Sequence, residues 1–339
     1  MKAITYHAFG PPEVLQVTEI EKPIPKDPEI CLRVKATSVG FGEVFARNFM
    51  AVGPGQFSMP FVFWLGAKFF FGWRKPRVKI LGSVFSGEVE SMGKSVEKFK
   101  PGNQVFGYIG QNMGTYAEFI CLSESGCVAP KPENMSHEEA ALAVYGPIMA
   151  LPLMKKANIK PGHKVLIVGA SGGIGAAAVQ IARHYGATVT GVCGTHRIDF
   201  VKSLGADKVI DYKHNDFTQS GETYDLIFDV LGRSSFARCK NSLTPNGVYF
   251  LASFKMKQLF QMLWTKLSGG KKVICSLAPG SVEDLIAVKE LIEAGKFKSL
   301  IDRRFTLEEM AMAHQYYESA ERKGNVAITI KQSYESNNF

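Results

Sequence analysis

The chain has 339 residues, of which 46% are apolar and 21% charged, and its formal net charge is +9. This length suits about two domains with substantial cores, and the composition excludes a disordered or fibrous chain. The positive charge fits either a lysine-rich solvated surface or an anionic cofactor, substrate or membrane surface. Because the sequence has neither an arginine-rich tract nor interleaved aromatic residues, we expect no nucleic-acid partner.

The six cysteines are scattered and form no Cys-x-x-Cys pair. Such spacing suits neither a structural zinc cluster nor a disulfide framework, and it favours free thiols in a reducing compartment. The N-terminus shows no apolar run behind a basic head, so we expect no signal peptide. The most apolar segment, Phe57–Trp73, is interrupted by Pro60 and Lys68 and is too short to span a bilayer. A cytoplasmic protein without an integral membrane segment is therefore expected.

The first 125 residues are dominated by short, proline- and glycine-punctuated strand patterns, which predict an antiparallel, barrel-like domain. The predicted strands are Lys2–Tyr6, Leu15–Ile20, Ile30–Ala36, Ile80–Met92, Gln104–Tyr108 and Ala117–Leu122. Glycines inside or beside these strands, at Gly82, Gly87 and Gly93, indicate bulges or tight corners. A short helical stretch is expected to open at Gly40 and to run to Arg47.

The segment Phe57–Lys79 is rich in aromatic residues and ends in four basic ones. It predicts either a hydrophobic flap folded over the domain or a lid that builds an apolar substrate pocket. A lid of this composition could in addition touch a membrane surface. Of these two roles, we favour the substrate lid over the membrane contact.

Strands and helices alternate in the second half of the chain. Ser136 and Glu139 form the pattern of a capping box that starts a helix reaching Met154. The strands predicted after it are Val165–Val168, Ala187–Val192, Lys208–Asp211, Leu226–Val230, Gly247–Ala252 and Val273–Leu277, with helices after the first strand and around Ile198–Ser203 and Phe236–Asn241. This alternation predicts an α/β fold with a doubly wound parallel sheet.

The tail contains the patterns of two helices, Val282–Ala294 and Leu307–Ala320, and of a final strand, Val326–Ile330. We expect it to return to the first domain, and we expect the polar residues after Lys331 to be frayed. The predicted domains are therefore residues 1–125, 126–278 and 279–339.

The strand Val165–Val168 runs into a glycine cluster and then into the Ala-rich helix pattern Ala176–Tyr185. Such a turn binds a diphosphate, because the backbone N–H groups and the dipole of the helix N-terminus favour negative charge. The six residues matching the Gly-x-Gly-x-x-Gly template, with alanine in the first glycine place, are Ala170, Ser171, Gly172, Gly173, Ile174 and Gly175. With a second strand at Ala187–Val192, the context is that of a dinucleotide-binding unit.

The end of that second strand indicates which dinucleotide binds. A carboxylate at this point would hold the ribose 2′-hydroxyl of NAD, but the sequence has Thr195, His196 and Arg197 and no carboxylate before Asp199. These side chains suit a 2′-phosphate, to which the Arg197 guanidinium can make charge-assisted hydrogen bonds. The predicted cofactor is NADP(H); a solvent-facing Arg197 without this role is the alternative.

Several motifs, in this order along the chain, together carry a family resemblance: Leu81–Val89, Phe99–Gly107, Lys160–Leu166, Leu204–Tyr212, Asp229–Gly232 and Gly324–Val326. On them the chain resembles the medium-chain dehydrogenase/reductase superfamily, in its zinc-free quinone oxidoreductase-like (zeta-crystallin-like) branch. The resemblance implies a Rossmann nucleotide-binding domain, a GroES-like, partly open β-barrel catalytic domain, and a homodimer joined at the edge of the nucleotide-binding sheet. It also implies cofactor contacts at Tyr212, Leu231 and Ser253. Asn325, in the place of a frequent lysine beside the diphosphate, is a further candidate for cofactor binding.

Zinc-dependent members of the family carry a cysteine where this chain has Gly40, and Gly-His-Glu where it has Gly82–Ser83–Val84. Zinc requires thiolate, imidazole or carboxylate ligands, so we expect no metal. Oxidation of an unactivated alcohol is difficult without a Lewis acid, whereas quinones and α,β-unsaturated carbonyls accept hydride with less help.

The candidate catalytic residues are Phe41, Glu43 and Tyr145. Phe41, with Phe45 and the aromatic segment around Trp64, would form an apolar pocket for a flat acceptor. Glu43 is equally compatible with a structural role, and the proton would come from solvent or from Tyr145.

The sequence thus predicts an NADPH-dependent, zinc-independent reductase of a small, hydrophobic, electrophilic substrate. An NADP-dependent aldehyde or ketone reductase and a cofactor-binding protein with little turnover are the alternatives.

Overall fold

The computed structural model describes residues 1–55, 57 and 59–331. Contacts between residues divide the chain into two compact units. The mixed-sheet unit contains Met1–Gly53, Gly66–Tyr145 and the residues from Gly280 onward, and the parallel-sheet unit contains Pro54–Leu65 and Gly146–Pro279. The expectation for the residues after Lys331 lies outside the described part of the chain.

The strands of the mixed-sheet unit come from both ends of the sequence. They are β1 (Lys2–Thr5), β2 (Gln16–Glu19), β3 (Glu29–Val39), β4 (Val84–Met92), β5 (Gln104–Tyr108), β6 (Phe119–Ser123), β7 (Cys127–Pro130), and, after the strands of the other unit, β14 (Ile301–Thr306) and β15 (Asn325–Thr329). Seven of them form a sheet in the order β14-β15-β3-β4-β5-β7 with β6 also pairing β3, and β1 pairs β2 separately. All of these pairings are antiparallel except β14 with β15.

A glycine allows a close backbone approach in the middle of this sheet. A Cβ at Gly87 would lie 2.2 Å from the carbonyl oxygen of Arg33 on the neighbouring strand, and the register of β3 and β4 shifts beside it. The bulge predicted at this glycine is confirmed. Strand β14 was missed, because its Ile-Asp-Arg-Arg-Phe-Thr pattern places two arginines in a row.

The mixed-sheet unit also contains helices. They are α1 (Phe41–Arg47), α3 (His137–Leu142), α9 (Val282–Glu293) and α10 (Met310–Glu318). The predicted capping box at the start of α3 is present: the Ser136 hydroxyl accepts from the Glu139 N–H, and the Glu139 carboxylate accepts from the Ser136 N–H. Helix α2 (Phe61–Phe71) lies in the aromatic-rich segment, which was predicted as a flap or lid without a defined secondary structure.

The parallel-sheet unit confirms the predicted α/β fold. Its strands are β8 (Lys164–Val168), β9 (Thr188–Cys193), β10 (Lys208–Asp211), β11 (Tyr224–Asp229), β12 (Leu243–Leu251) and β13 (Lys272–Cys275). They pair in parallel in the order β10-β9-β8-β11-β12-β13. This order reverses direction between β8 and β11, where doubly wound folds bind their ligands at the carboxyl ends of the strands.

Helices of this unit connect the strands and cover the sheet. They are α4 (Tyr145–Lys156, whose first residue is the last of the mixed-sheet stretch), α5 (Gly173–His184), α6 (Ile198–Ser203), α7 (Phe236–Cys239) and α8 (Met256–Ser268). Three consecutive alanines of α5, Ala176–Ala178, are buried, which lets the helix pack closely against the sheet.

Helix α8 was not predicted, and it covers the edge strand β13. The Val273 N–H donates to the Thr265 hydroxyl at 3.0 Å, and the Cys275 N–H contacts the Met262 sulfur at 3.4 Å. These are donors through which a further strand would pair, so side chains of α8 occupy the β13 edge of the sheet. The expected homodimer stays a prediction.

Candidate functional site

The glycine-rich turn joins β8 to α5 with the geometry that the sequence predicts. Gly169 has a φ of +87°, a left-handed conformation suited to glycine. Gly172 is the N-cap of α5, and its N–H donates to the Gly169 carbonyl at 3.0 Å. The first N–H groups of a helix have no intrahelical acceptor, so the start of α5, at Gly173, Ile174 and Gly175, offers donors to an anion.

The glycines of this turn differ in the space around them. A Cβ at Gly175 would lie 2.1 Å from the Gly169 carbonyl oxygen and 3.0 Å from the Ala170 Cα, whereas a Cβ at Gly172 would meet only the Gly169 oxygen, at 3.5 Å. Gly175 is therefore required for packing between helix and strand. Gly172 is not, and its missing side chain instead leaves the surface of the turn open.

The carboxyl end of β11 forms a second wall next to the turn. A Cβ at Gly169 would be 3.6 Å from the Leu231 side chain, and the predicted cofactor residue Leu231 is 44% exposed. A Cβ at Gly232, which has a φ of +62°, would meet the Ser253 carbonyl oxygen at 2.5 Å. The structure thus brings Leu231 and Ser253 to the same carboxyl edge as the turn.

A buried carboxylate shapes this wall, and the sequence analysis did not assign it a role. Asp229 is completely buried and accepts hydrogen bonds from the N–H groups of Gly232 and Ser234 at 2.9 Å and from the Tyr249 hydroxyl at 2.8 Å. Its position at the end of a buried strand was visible in the sequence. The loop that folds back over it was not, because those donors depend on the turn at Gly232.

Basic and hydroxyl side chains follow β9 and β10. Thr195 and His196 are exposed and Arg197 is partly exposed. The Thr195 hydroxyl donates to Asp211 at 2.6 Å, and the Lys213 N–H donates to the other oxygen of the same carboxylate at 3.0 Å. These hydrogen bonds, with the Thr195 one largest, lower the pKa of Asp211.

Asp211 is a carboxylate close to the end of β9, and the prediction of the cofactor from Thr195–Arg197 did not include it. It is only 7% exposed, because its hydrogen bonds turn it toward the protein. Tyr212 is 58% exposed, and a Cβ at Gly194 would lie 3.4 Å from its hydroxyl oxygen and 3.6 Å from its ring carbons. The groups that face solvent at this edge are therefore mainly basic and aromatic.

In the mixed-sheet unit, Glu43 joins the segment at Gly40 to the segment at Ser83. Its carboxylate accepts from the Gly40 N–H at 3.0 Å and from the Ser83 hydroxyl. Burial raises the pKa of Glu43, and the hydrogen bond from Ser83 opposes this effect. The contacts make Glu43 a positioning residue that caps α1, and Ser83 is a partner that the sequence analysis did not identify.

Phe41 lies at the start of α1 and is 67% exposed. Its ring stacks on Phe45 with the centroids 5.8 Å apart, which leaves an apolar, aromatic surface open. Tyr145 contacts Tyr108, with ring centroids 6.0 Å apart. Burial raises the pKa of Tyr145 above its usual range and that of Tyr108 to about 12, so both hydroxyls keep their protons at neutral pH.

A buried chain of hydrogen bonds crosses the same unit. The Arg47 guanidinium donates to His314 Nδ1 at 2.9 Å, and His314 Nε2 lies 3.1 Å from the Tyr116 hydroxyl. Because arginine can only donate, Nδ1 of His314 is the acceptor and Nε2 carries the proton. Burial, and secondly Arg47, lower the pKa of His314 to about 3. Arg47 and His314 are 267 positions apart, so no local pattern could have paired them.

Asn325 lies at the start of β15 in the mixed-sheet unit, where its side-chain amide donates to the Leu300 carbonyl at 3.2 Å. Its predicted contact with a cofactor stays a prediction. Within residues 1–55, 57 and 59–331, no group of three His, Cys, Asp or Glu side chains is arranged to hold a metal ion.

Comparison with known proteins identifies the family. A family profile described as "Alcohol dehydrogenase GroES-like domain" matches residues 26–133, and one described as "Zinc-binding dehydrogenase" matches residues 204–328. The chain is 30% identical over 319 residues to "Quinone-oxidoreductase QR1, chloroplastic" of Triphysaria versicolor, with 91% of this chain and 92% of the relative covered. The chain belongs to the medium-chain dehydrogenase/reductase superfamily, in its quinone oxidoreductase-like branch.

Other members of the superfamily agree with this assignment. "NAD(P)H oxidoreductase RTN4IP1, mitochondrial" of Homo sapiens is 30% identical over 374 residues, covering 97% of this chain and 89% of the relative. The solved quinone oxidoreductase of Coxiella burnetii superposes with a TM-score of 0.82 at 26% identity, covering 98% of this chain and 99% of that one. The mixed-sheet unit thus contains the GroES-like domain of the superfamily.

In the described part of the chain, no helix is both long and apolar enough to cross a bilayer. The names of relatives include chloroplastic and mitochondrial proteins, and the expectation of a cytoplasmic location stays a prediction.

Proposed function

We propose that the chain is an NADPH-dependent, zinc-independent oxidoreductase that reduces a quinone or an α,β-unsaturated carbonyl. The observation that carries the proposal is the turn between β8 and α5. Its strand–turn–helix geometry, the close packing at Gly175 and the open surface at Gly172 fit a dinucleotide diphosphate. When bound, the nicotinamide dinucleotide supplies the hydride.

The residues of the parallel-sheet unit would hold and orient this cofactor. The N–H groups at the start of α5 would bind the diphosphate, and Leu231 and Ser253 would line the carboxyl edge beside it. The relatives named as quinone oxidoreductases and NAD(P)H oxidoreductases support a nicotinamide cofactor for this chain.

A phosphorylated cofactor is favoured by the charges at the ends of β9 and β10. The Asp211 carboxylate accepts from the Thr195 hydroxyl and the Lys213 N–H and is buried, so it presents little surface to a ribose 2′-hydroxyl. Exposed His196, Lys213 and His214 and partly exposed Arg197 would attract a 2′-phosphate.

Zinc-independence rests on which side chains are present. Glycine at position 40, serine at 83 and valine at 84 replace the ligands of zinc-dependent members, and the Ser83 hydroxyl is already bound to Glu43. Without a Lewis acid, an electron-poor acceptor is the substrate class that needs least polarisation.

The mixed-sheet unit would bind such a substrate and supply the proton that completes its reduction. Exposed Phe41, stacked on the partly buried Phe45, suits a flat, apolar molecule. The Tyr145 hydroxyl, which carries its proton at neutral pH, is the side-chain candidate for delivering a proton to the reduced product, with solvent as the alternative.

The cofactor assignment is tested by steady-state kinetics with NADPH and NADH on the wild type and on Arg197→Ala. Loss of a charge-assisted hydrogen bond of about 1.5–3 kcal/mol predicts a roughly ten- to hundredfold higher KM for NADPH and an unchanged KM for NADH. Lys202→Ala, which removes an exposed cation from α6 of the same unit, is the matched control. Equal Michaelis constants for the two cofactors, unaltered in Arg197→Ala, would exclude the NADPH assignment.

The substrate class is tested by following NADPH oxidation against a panel of quinones, enones and aldehydes. Turnover of quinones or enones alone supports the proposal. Turnover mainly of aldehydes would replace it with a carbonyl reductase, and tight NADPH binding without turnover would replace it with a cofactor-binding protein.

A further inference from the structure

Helix α8 exposes a continuous apolar stripe to solvent. The five residues at positions i, i+4, i+7, i+8 and i+11, which share one helix face, are between 51% and 88% exposed: Met256, Phe260, Leu263, Trp264 and Leu267. On the opposite face, Leu259 and Met262 pack against the core of the parallel-sheet unit. Monomeric proteins rarely leave a contiguous apolar patch uncovered, so the outer face indicates an interaction surface.

The charge of the surrounding sequence is one-sided. Residues 230–281 contain eight arginines and lysines and no aspartate or glutamate, so this stretch carries eight of the nine net positive charges of the chain. Four lysines on α8 or next to it are exposed: Lys255, Lys257, Lys266 and Lys272. We call the stripe and these four lysines the α8 surface.

A second apolar segment lies beside the α8 surface in the same unit. The Lys255 ammonium donates to the Gly55 carbonyl at 2.9 Å, and Met59 packs against the same core as Leu259 and Met262. Phe61, Val62 and Phe63, which follow, are more than half exposed. No acidic residue occurs between positions 44 and 87. The segment beside the α8 surface is therefore also apolar and without negative charge.

We propose that the α8 surface docks this protein on an anionic lipid bilayer, as a peripheral protein lying on the surface. An amphipathic helix with phenylalanine, leucine and tryptophan on one face and lysines around it has the composition of interfacial helices. Its apolar stripe would enter the boundary between headgroups and acyl chains, while the lysines bind anionic headgroups.

A second copy of the chain fits the α8 surface less well than a bilayer. A twofold contact places the same patch on both partners, so lysines of one copy would face lysines of the other without an acidic residue of residues 230–281 between them. Extension of the sheet is also disfavoured, because α8 already occupies the donors of Val273 and Cys275.

The proposal is tested by sedimentation of the full chain with vesicles of phosphatidylcholine containing 30% phosphatidylglycerol and with pure phosphatidylcholine vesicles. We expect binding to the anionic vesicles that weakens as salt is added. Since each lysine near such a surface contributes about fivefold to partitioning, Lys257→Glu with Lys266→Glu should lower the partition coefficient by about 25-fold or more. Phe260→Ser with Leu267→Ser should abolish sedimentation.

Matched controls distinguish binding through the α8 surface from a general effect of net charge or of exposed apolar side chains. Lys202→Glu with Lys296→Glu changes the net charge equally at exposed positions that are not part of the α8 surface. Ile286→Ser with Met312→Ser removes exposed apolar side chains of the mixed-sheet unit. Both controls should bind vesicles to within about a factor of three of wild type, and all variants should keep the wild-type thermal unfolding curve.

The part of the protein that enters the bilayer is identified by the fluorescence of Trp264 in a variant that carries Trp64→Phe and Trp73→Phe. The Trp264 emission should shift to the blue only with anionic vesicles. Equal binding to both kinds of vesicle, or no binding to either, overturns the proposal. So does a stable dimer in analytical ultracentrifugation that Phe260→Ser with Leu267→Ser converts to monomer, since the stripe would then be covered by a second copy.

Discussion

Two glycine-to-alanine substitutions, three positions apart in the turn between β8 and α5, should differ in their effect on stability. At Gly175 a Cβ would lie 2.1 Å from the Gly169 carbonyl oxygen and 3.0 Å from the Ala170 Cα, so the start of α5 must move away from the strand. Overpacking of this kind costs about 1–3 kcal/mol. At about 2–4 °C per kcal/mol for a domain of this size, Gly175→Ala should lower Tm by roughly 2–12 °C.

At Gly172 the same methyl group meets only one protein atom, at 3.5 Å, and the φ of −82° suits any residue. Loss of a favourable N-cap residue and reduced entropy of the unfolded chain oppose each other. The free energy of unfolding of Gly172→Ala should therefore stay within about 1 kcal/mol of wild type. Its methyl group instead occupies the open side of the turn, where the diphosphate is proposed to approach.

Thermal unfolding followed by circular dichroism and titration of NADPH followed by fluorescence distinguish the two effects. Gly172→Ala should keep its Tm and lose at least tenfold in NADPH affinity, whereas Gly175→Ala should lose both. If Gly172→Ala binds NADPH as tightly as wild type, the diphosphate does not approach this face of the turn. If it unfolds as early as Gly175→Ala, the packing argument is wrong.

The remaining predictions concern a buried histidine and the metal positions. Burial lowers the pKa of His314 to about 3 from an ordinary 6.5. As the pH falls below about 6.5, the unfolded state takes up a proton before the folded state does, so the folded state loses stability. The two pKa values give a loss of about 2.5 kcal/mol in the free energy of unfolding between pH 6 and pH 4. Urea unfolding across this range should show that slope, and a His314→Gln variant that unfolds with the same pH dependence would contradict the assignment. Elemental analysis of the purified protein should find zinc far below one atom per chain, and activity should survive a chelator; stoichiometric zinc lost together with activity would refute zinc-independence.

Contiguous residues carried enough information for the nucleotide-binding half. The buried strand Val165–Val168, the turn through Gly175 and the alternation that follows were all predicted from the sequence, because periodicity, β-branched residues and glycines act within a few residues of each other. The family resemblance rested on the same kind of local motif, and comparison with known proteins confirmed it. Strand β14 was missed because it carries adjacent arginines. Helix α8 was missed although its apolar residues recur with helical spacing, because the prediction passed from the strand ending at Ala252 directly to the strand starting at Val273.

Only the tertiary structure decided which distant side chains meet. Glu43 and Ser83 are 40 positions apart, and Arg47 and His314 are 267 apart, yet each pair forms a buried hydrogen bond, because β3 pairs with both β4 and β15 in one sheet. Glu43 is a catalytic candidate by sequence, and the structure adds that its carboxylate accepts from the Gly40 N–H and the Ser83 hydroxyl; its catalytic role stays a prediction. The turn at Val165–Gly175 needed only its own residues to be predicted, whereas burial, protonation and exposure depend on neighbours that the chain supplies from elsewhere. For this reason the outward stripe of α8 became visible only after the fold had covered its other face.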